Sequence, residues 1–311
     1  MSNATSRPPF TLQKVFLETA FEQRFQGILR HAWRNRSWHV IAALPGSGKS
    51  LGIQDLLLRS GAHKDATGTT LLPILAIRAP KNTTQEQALG VALSAAFGTV
   101  PTMQWQVRRT WLVKVMASAQ VECLIIDDAQ DLALSHLALL KELTDNLAAL
   151  PYQRPVALCL VAATSGSIIP FKETFAGPEM LWQQFRRRMD NERPYCLVLG
   201  HTEEEVRHIL TTFEAIYRKQ FPDLQLRRWT KPIFTWLTHP TLDPGATGRV
   251  TMDALTRFLI STLRHTNEQG ATDVNETILE MTAERMILRR DEVIAIDEVL
   301  HTSLPSTKEV G

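Results

Sequence analysis

The sequence predicts an α/β core, a parallel sheet between two layers of helices, followed by a smaller helical domain. Short apolar runs alternate with segments whose apolar residues recur every three or four positions, which is the pattern of strands joined by crossover helices. A glycine-rich loop joins the first apolar run to the first helical segment. After Thr202 the strand-like runs stop, and the apolar segments that follow have helical spacing.

Five apolar runs, each bounded by polar or turn residues, are expected to form the sheet. Buried parallel strands have nearly continuous apolar sequences, because helices cover both of their faces. The runs lie at residues 38–43, 71–77, 122–127, 156–163 and 195–199. Helices are predicted between them, from Ser50 to Leu58, Gln85 to Phe97, Val107 to Ala119 and Ser135 to Leu150.

The same patterns divide the chain into four parts. Residues 1–37 are expected to form one or two amphipathic helices, and residues 38–201 the α/β core. Residues 202–290 are expected to form a helical lid domain, and residues 291–311 a C-terminal tail. The first part contains six basic and two acidic residues, an imbalance that a solvated helix face would explain.

The composition excludes several classes of protein. A chain of 311 residues can bury a core without disulfides or structural metals. The net charge is only +2, so any surface that binds nucleic acid must be local. No apolar stretch approaches the roughly 18 residues that a membrane span requires, and the first residues lack the apolar run of a secretory signal. We therefore expect a cytoplasmic protein with no membrane partner.

The cysteines and histidines indicate neither a redox site nor a metal site. Cys123, Cys159 and Cys196 each lie inside an apolar run, where a thiol behaves as a small hydrophobic side chain. The nine histidines are scattered, and none is paired with Cys, Asp or Glu at helical metal-ligand spacing. The cysteines are therefore expected to be buried core residues.

The glycine-rich segment Ala43-Leu-Pro-Gly-Ser-Gly-Lys-Ser50 predicts a phosphate-binding P-loop. Such a loop follows a strand and precedes a helix, so that backbone N–H groups and the helix N-terminus face a phosphate. Lys49 is expected to reach the outer phosphates of ATP, and the Ser50 hydroxyl to ligate Mg²⁺. Ala43 departs from the full pattern, which has glycine there. The predicted ATP-binding residues are Pro45, Gly46, Ser47, Gly48, Lys49, Ser50 and Leu51.

Two carboxylates end the third apolar run, where a Walker B motif would lie. Asp127 would hold Mg²⁺ through water, and Asp128 would orient the water that attacks the γ-phosphate. Related P-loop enzymes usually have glutamate at the second position, and aspartate is shorter by one methylene. We therefore expect slow ATP hydrolysis. The alternative is a strand-end turn capped by an aspartate side chain.

Together these motifs resemble AAA+ ATPases, and in particular the TnsC/TniB class of transposon-encoded regulators, which are relatives of IstB and MuB. The resemblance is carried by the segments PGSGKS, LIIDDAQDL, HLALLKELTDNL, CLVAAT, QQFRRRM and GATGRVTMDAL. It implies a three-layer AAA+ core with a helical lid that binds and hydrolyses ATP with Mg²⁺. It also implies a ring or filament on duplex DNA that connects a target-selection protein with a transposase, sometimes under CRISPR control. ATP hydrolysis would drive disassembly.

The resemblance assigns roles to residues outside the loop. Thr164, at the end of the fourth strand, resembles the sensor residue near the γ-phosphate, although a strand-terminating turn is an alternative. The trio Arg186, Arg187 and Arg188 resembles the segment that supplies an arginine finger to a neighbouring subunit's ATP. Arg188 matches best, and a solvated helix face is the alternative. Arg249, in GATGR, resembles the lid arginine that reaches the nucleotide, or else it caps a helix.

The expected DNA contacts lie between the second strand and the Walker B strand, a region that faces duplex DNA in the resembling proteins. From Gln87 to Val121 there are three basic residues and no acidic one. The predicted contacts are Lys81, Thr102, Arg108 and Arg109, and they would meet phosphates without sequence preference. A generic charged helix face is the alternative, because adjacent helical residues point in different directions.

Two other functions are compatible with these motifs. One is an AAA+ ATPase of the ExeA or Orc1/Cdc6-like type, which would serve envelope assembly or replication initiation. The other is a nucleotide-dependent scaffold that does not hydrolyse ATP, because Asp128 and Ala43 both depart from the active pattern.

Overall fold

The computed structural model describes residues 17–64, 70–98 and 100–287. They form two compact units, one from Ala20 to Leu199 and the other from Gly200 onward, which also includes residues 17–19. The expected tail at residues 291–311 lies outside the described residues. No helix in the described ranges combines the length and the apolar character needed to cross a lipid bilayer.

The first unit is built on a parallel sheet of five strands. The strands of the unit, in chain order, are β1 (Trp38–Ala43), β2 (His63–Lys64), β3 (Thr70–Leu71), β4 (Ile74–Arg78), β5 (Cys123–Asp127), β6 (Ala157–Ala163) and β7 (Tyr195–Val198). The sheet has the order β4-β5-β6-β1-β7, and each neighbouring pair is parallel. The carboxyl ends of β1, β4, β5 and β6 therefore lie at one edge.

The strand predicted at residues 71–77 is wrong in its extent. Thr70–Leu71 pairs with His63–Lys64 in a separate two-stranded antiparallel sheet, and only Ile74–Arg78 joins the large sheet. The break falls at Pro73, which has no N–H to donate to a strand ladder. Its carbonyl instead accepts from the N–H groups of Glu122 and Cys123. The other four predicted strands agree with the structure to within one residue at each end.

Seven helices of the described chain belong to the first unit. They are α1 (Ala20–Asn35), α2 (Lys49–Leu58), α3 (Glu86–Ala96), α4 (Trp105–Ser118), α5 (Leu134–Ala148), α6 (Lys172–Ala176) and α7 (Met180–Arg186). The short helices α6 and α7 were not predicted. Helix α1 packs on the sheet, so the segment at residues 1–37 contributes a helix to this core.

Successive side chains of each strand point to opposite faces of the sheet, and both faces are buried under helices. Phe25 of α1 and Ile53 of α2 pack with Ile41 and Val161 on one face. Residues of α3, α4 and α5 pack with strand residues such as Val40 on the other face. Helices on both faces explain why the strand sequences are almost wholly apolar. The three cysteines are free and buried in the α1–α2 layer, which confirms their expected place in the core.

The second unit is helical. Among its described residues, the helices are α8 (Glu203–Tyr217), α9 (Thr230–Leu237), α10 (Met252–Glu268) and a fourth at residues 276–287. Thr202 and Glu205 form a capping box that starts α8. A single bridge joins His201 to Val250, and a Cβ atom on Gly200 would clash with the Val250 carbonyl. The predicted fold class, a parallel three-layer core followed by a helical region, is confirmed.

Candidate functional site

The loop between β1 and α2 has the backbone of an anion-binding turn. Gly46 and Gly48 have φ angles of 72° and 103°, a region that residues with a Cβ atom rarely adopt. The N–H of Ser47 donates to the Leu44 carbonyl at 3.2 Å, which tightens the loop. The buried Ser47 hydroxyl has no hydrogen-bond partner among the described residues. A ligand oxygen in the loop would satisfy such a hydroxyl.

The N-terminus of α2 opens directly from this loop. Gly48 is the N-cap residue, and no side chain caps the helix. The first backbone N–H groups of a helix have no partner within the helix, and they lie at the positive end of its dipole. The N–H groups of Lys49, Ser50 and Leu51 are therefore suited to bind phosphate oxygens.

Lys49 points back into the loop that precedes it. Its ammonium donates to the Leu44 carbonyl at 3.1 Å and to the Ala43 carbonyl at 3.4 Å. Burial lowers the pKa of Lys49, and the nearby carboxylates of Asp127 and Asp128 partly offset that effect. A buried cation held by carbonyl groups at the end of β1 is in place to meet the negative charge of a phosphate.

Ser50 and Asp127 come together across the carboxyl edge of the sheet. The Ser50 hydroxyl donates to Asp127 Oδ2 at 2.6 Å, although the residues are far apart in the chain. Asp127 Oδ1 accepts from the N–H of Asp128 at 3.0 Å, which fixes the carboxylate. A hydroxyl and a carboxylate are the hard oxygen ligands that Mg²⁺ prefers, so this pair fits the predicted magnesium site.

Asp128 has an unexpected partner in Arg78, the last residue of β4. Arg78 lies beside Asp127 in the register of β4 and β5, and its guanidinium forms an ion pair with the Asp128 carboxylate. The hydrogen bond to Asp128 raises the pKa of Arg78. Asp128 itself has a φ of 53°, which turns the chain sharply after β5. The carboxylate predicted to orient water is thus held by a cation from the neighbouring strand.

Thr164 ends β6 next to the P-loop strand. Its N–H donates to the Ala43 carbonyl at 3.1 Å, and its hydroxyl hydrogen-bonds to the Ile168 carbonyl within its own turn. This agrees with the alternative of a strand-terminating turn, and the sensor role stays a prediction. Gln130, which was not singled out in the sequence, accepts from the N–H of Ala163 at 2.8 Å. It joins the segment after Asp128 to the end of β6.

The three arginines at the end of α7 have different surroundings. Arg186 donates to the backbone carbonyls of Phe175 and Gly177. Arg188 forms an ion pair with Asp145 and lies 5.2 Å from the centre of the Trp38 ring. Arg187 is exposed and has no side-chain partner in the part of the chain that the structure describes. A finger that acts on another subunit needs a free guanidinium, and of the trio Arg187 offers one.

Arg249 follows a loop in the second unit that Asp243 organises. The buried Asp243 carboxylate accepts from the Thr247 hydroxyl at 2.9 Å and from the Gly248 N–H at 2.8 Å. The φ of Gly248 is 60°, so glycine suits the turn before Arg249. Arg249 is half-buried, and no side-chain partner for it lies within the described residues.

The predicted DNA contacts separate into free and engaged side chains. Lys81 and Thr102 are exposed. Arg108 donates to the Pro101 carbonyl at 2.7 Å. Arg109 forms an ion pair with Glu142 and lies 3.7 Å from Glu86, so its charge is already neutralised within the fold. Only by breaking these pairs would Arg109 bind a phosphate.

A basic cleft in the second unit was not foreseen from the sequence. It has a volume of about 500 Å³ and is lined by Arg207, Glu214, Gln225, Arg227 and Arg228. Arg228 is paired with Asp273 at 2.8 Å, whereas the guanidinium groups of Arg207 and Arg227 have no partner within the described ranges. These arginines come from α8 and from the turn before α9, and their separation in the chain hid the cluster.

Comparison with known proteins gives a fold and no close relative. No protein-family model and no curated protein sequence matches the chain. Among solved structures, Cdc6p from Pyrobaculum aerophilum is similar with a TM-score of 0.56 and 15% identity, over 92% of this chain and 71% of that one. The ORC2 protein of Aeropyrum pernix in its ADP form has a TM-score of 0.56 and 13% identity, over 91% and 71%.

A third similar structure is the ORC1 protein of Aeropyrum pernix in complex with DNA. It has a TM-score of 0.55 and 16% identity, over 93% of this chain and 69% of that one. The TM-scores establish a common fold, and sequence identities this low leave the activity open. The five-stranded parallel sheet, its flanking helices and the helical C-terminal region match those of these proteins. The chain therefore has the AAA+ fold.

Proposed function

We propose that the chain is an ATPase that binds ATP and Mg²⁺ at the carboxyl edge of the sheet. The contact between Ser50 and Asp127, 2.6 Å across that edge, carries this proposal, because it joins the loop and the strand end at a pair of oxygen ligands. The backbone N–H groups from Gly46 to Leu51 and the ammonium of Lys49 would bind the phosphates. Bound Mg²⁺ would neutralise charge on the phosphate oxygens.

Asp128 would act on the attacking water, and its contact with Arg78 supports slow turnover. A carboxylate that is paired with a guanidinium is a weaker hydrogen-bond acceptor for water than a free one. In the proposed cycle Asp128 leaves Arg78 before it orients the water. The same pairing is the observation that favours the scaffold alternative, in which Asp128 never leaves Arg78.

DNA binding would depend on assembly. One subunit with a net charge of +2 offers few phosphate contacts, so a single copy would bind duplex DNA weakly. Many linked subunits convert weak contacts into high avidity, because each later contact forms at high effective concentration. Lys81, Thr102 and the cleft arginines Arg207 and Arg227 supply candidate contacts, and Arg187 supplies a contact between subunits.

We place this activity in the control of transposition. The motifs LIIDDAQDL and GATGRVTMDAL resemble those of transposon-encoded regulators, and this resemblance supports the proposal. The assembled protein would meet duplex target DNA, a target-selection protein and a transposase. Hydrolysis of ATP would release the assembly.

An initiator-type function is the second candidate. It is favoured by the fold shared with Cdc6p and the ORC proteins, one of which was solved in complex with DNA. The two candidates differ in how they would bind DNA. A transposition regulator would coat duplex DNA cooperatively with little sequence preference, whereas an initiator would bind a defined sequence as few copies.

The ATPase proposal is tested by phosphate release with and without duplex DNA. We expect slow release from the natural protein and none from Lys49→Ala. Lys172→Ala, which changes an exposed lysine on α6, is the matched control and should behave like the natural protein. ATP binding without any phosphate release under either condition would overturn the ATPase proposal in favour of the scaffold.

The DNA proposal is tested by measuring duplex affinity against protein, salt and nucleotide concentration. We expect affinity to rise steeply with a slowly hydrolysed ATP analogue, to depend on protein concentration and to change little with sequence. Tight one-to-one binding to a defined sequence would favour the initiator. No DNA binding under any nucleotide condition would contradict both DNA-based functions and would favour the envelope-assembly ATPase or the scaffold.

A further inference from the structure

Three metal-ligating side chains converge at a place that the nucleotide site does not use. His31 lies on α1, His39 lies in β1, and Asp190 lies in the turn that precedes β7. One ligand atom from each residue lies within 4.8 Å of the ligand atoms of the other two. His39 precedes Ala43 by four residues of extended strand, about 13 Å, so this cluster is remote from the P-loop.

The Asp190 carboxylate is fixed in its orientation by the backbone. Its Oδ1 accepts from the N–H groups of Glu192 at 3.0 Å and Arg193 at 2.8 Å. Its Oδ2 therefore faces the two imidazoles, 3.1 Å from His31 Nε2 and 3.7 Å from His39 Nε2. Two ligands of a tetrahedral zinc ion lie roughly 3.3 Å apart, which falls between these two distances.

The buried imidazole of His39 is oriented as a metal ligand is. Its Nδ1 lies 3.0 Å from the Arg193 carbonyl, which can only accept, so Nδ1 carries the proton. The unprotonated Nε2 is then free to act as a ligand, and it lies 3.7 Å from Asp190 Oδ2. A backbone carbonyl that fixes the tautomer of a ligating histidine in this way is a common outer-shell contact of metal sites.

Two neutral polar groups lie beside the cluster. The Ser37 hydroxyl lies 2.9 Å from His39 Nε2, and the Asn35 amide nitrogen lies 3.1 Å from His31 Nε2. Neither carries a positive charge that would repel a cation, and the Ser37 oxygen is a further donor atom. The His31 side chain is 51% exposed, which leaves an approach for an ion and a water ligand.

We propose that His31, His39 and Asp190 bind one divalent transition-metal ion, of which Zn²⁺ fits the two nitrogen and one oxygen donors best. The ion would tie α1, β1 and the turn before β7 together at the amino edge of the sheet. The expected effect of the ion is on stability, because its three ligands come from separate elements of the first unit. The site is independent of the proposed ATPase function.

The test measures Zn²⁺ binding by the full chain without a histidine tag and without nucleotide. Calorimetry should give one Zn²⁺ per chain, and the same addition should raise the Tm by several degrees. His31→Ala should weaken binding at least roughly tenfold, consistent with loss of one ligand. The exposed residue His63 supplies the matched control, and His63→Ala should bind Zn²⁺ like the natural protein.

A second variant and a second metal ion test the same three ligands. Asp190→Asn keeps an oxygen for the turn N–H groups and removes the anionic ligand, so it should also weaken Zn²⁺ binding. Co²⁺ in place of Zn²⁺ should give the visible absorption of a four-coordinate ion, and His31→Ala should remove it. The proposal is overturned if no one-to-one binding occurs, or if both variants bind Zn²⁺ as the natural protein does.

Discussion

The two edges of the central sheet carry polar clusters of different origin. At the carboxyl edge, the P-loop directly follows strand β1, and Asp127 is the last residue of strand β5. At the amino edge, His31, His39 and Asp190 come from a helix, a strand and a turn, and no local spacing connects them. The difference teaches that a site made of consecutive residues can be predicted from the sequence. A site whose residues are brought together from separate elements by the fold cannot.

The largest expected effect comes from removing the loop cation. Lys49→Ala should weaken ATP binding by roughly a hundredfold or more, because it deletes a buried charge that is proposed to face the phosphates. Binding of a fluorescent ATP analogue measures this effect. Zn²⁺ binding should not change, since the two edges are separate. Parallel loss of both ligands, with the fold intact, would show that the two edges act as one site.

Substitutions of Asp128 and Arg78 should change ATP hydrolysis at the carboxyl edge without changing ATP binding. Asp128→Asn should retain ATP and reduce phosphate release by roughly a hundredfold or more, because it removes the carboxylate that is proposed to orient water. Arg78→Ala should retain ATP and raise phosphate release several-fold, because it frees the Asp128 carboxylate. Single-turnover measurements check both variants. Equal loss of ATP binding in Asp128→Asn and Lys49→Ala would contradict the assigned roles.

A mixing experiment asks whether the carboxyl edge is completed by a second subunit. Arg187→Ala and Lys49→Ala, each inactive alone, should regain partial phosphate release when mixed, since some interfaces pair an intact loop with an intact arginine. The same mixture with Arg188→Ala tests the residue that matched best in the sequence. If both mixtures assemble and stay inactive, the arginines of α7 do not act between subunits.

The smallest effects concern the predicted DNA contacts. Lys81→Ala should leave the Tm unchanged and lower the salt slope of DNA binding by about 0.9, the value for one phosphate that the lysine would neutralise. Arg109→Ala should instead lower the free energy of unfolding by about 1 kcal/mol, because it removes the ion pairs with Glu86 and Glu142. The Tm should then fall by about 2 to 4 °C. Thermal denaturation and a salt titration distinguish them. A lower salt slope for Arg109→Ala without a change in Tm would reverse the two assignments.

The sequence predicted the helical layers, four of the five strands and a glycine turn between β1 and α2, because buried strands and glycine turns have local signatures. The binding roles of the loop residues stay predictions. It misplaced the second strand, where Pro73 divides one apolar run between two sheets. It did not reveal Arg78 or Gln130 as neighbours of the Walker B segment. Their contacts depend on which strands are adjacent in the sheet, and no single segment of the sequence predicts the strand order.

The most direct test of the nucleotide site is a Mg²⁺ titration of ATP-analogue binding to Asp127→Asn, with Asp131→Asn as the matched control. In the natural protein and the control, Mg²⁺ should tighten binding. In Asp127→Asn the affinity without Mg²⁺ should stay the same, and the gain on adding Mg²⁺ should disappear. Full Mg²⁺ enhancement in Asp127→Asn would show that Ser50 and Asp127 do not form the cation site at the edge of the sheet.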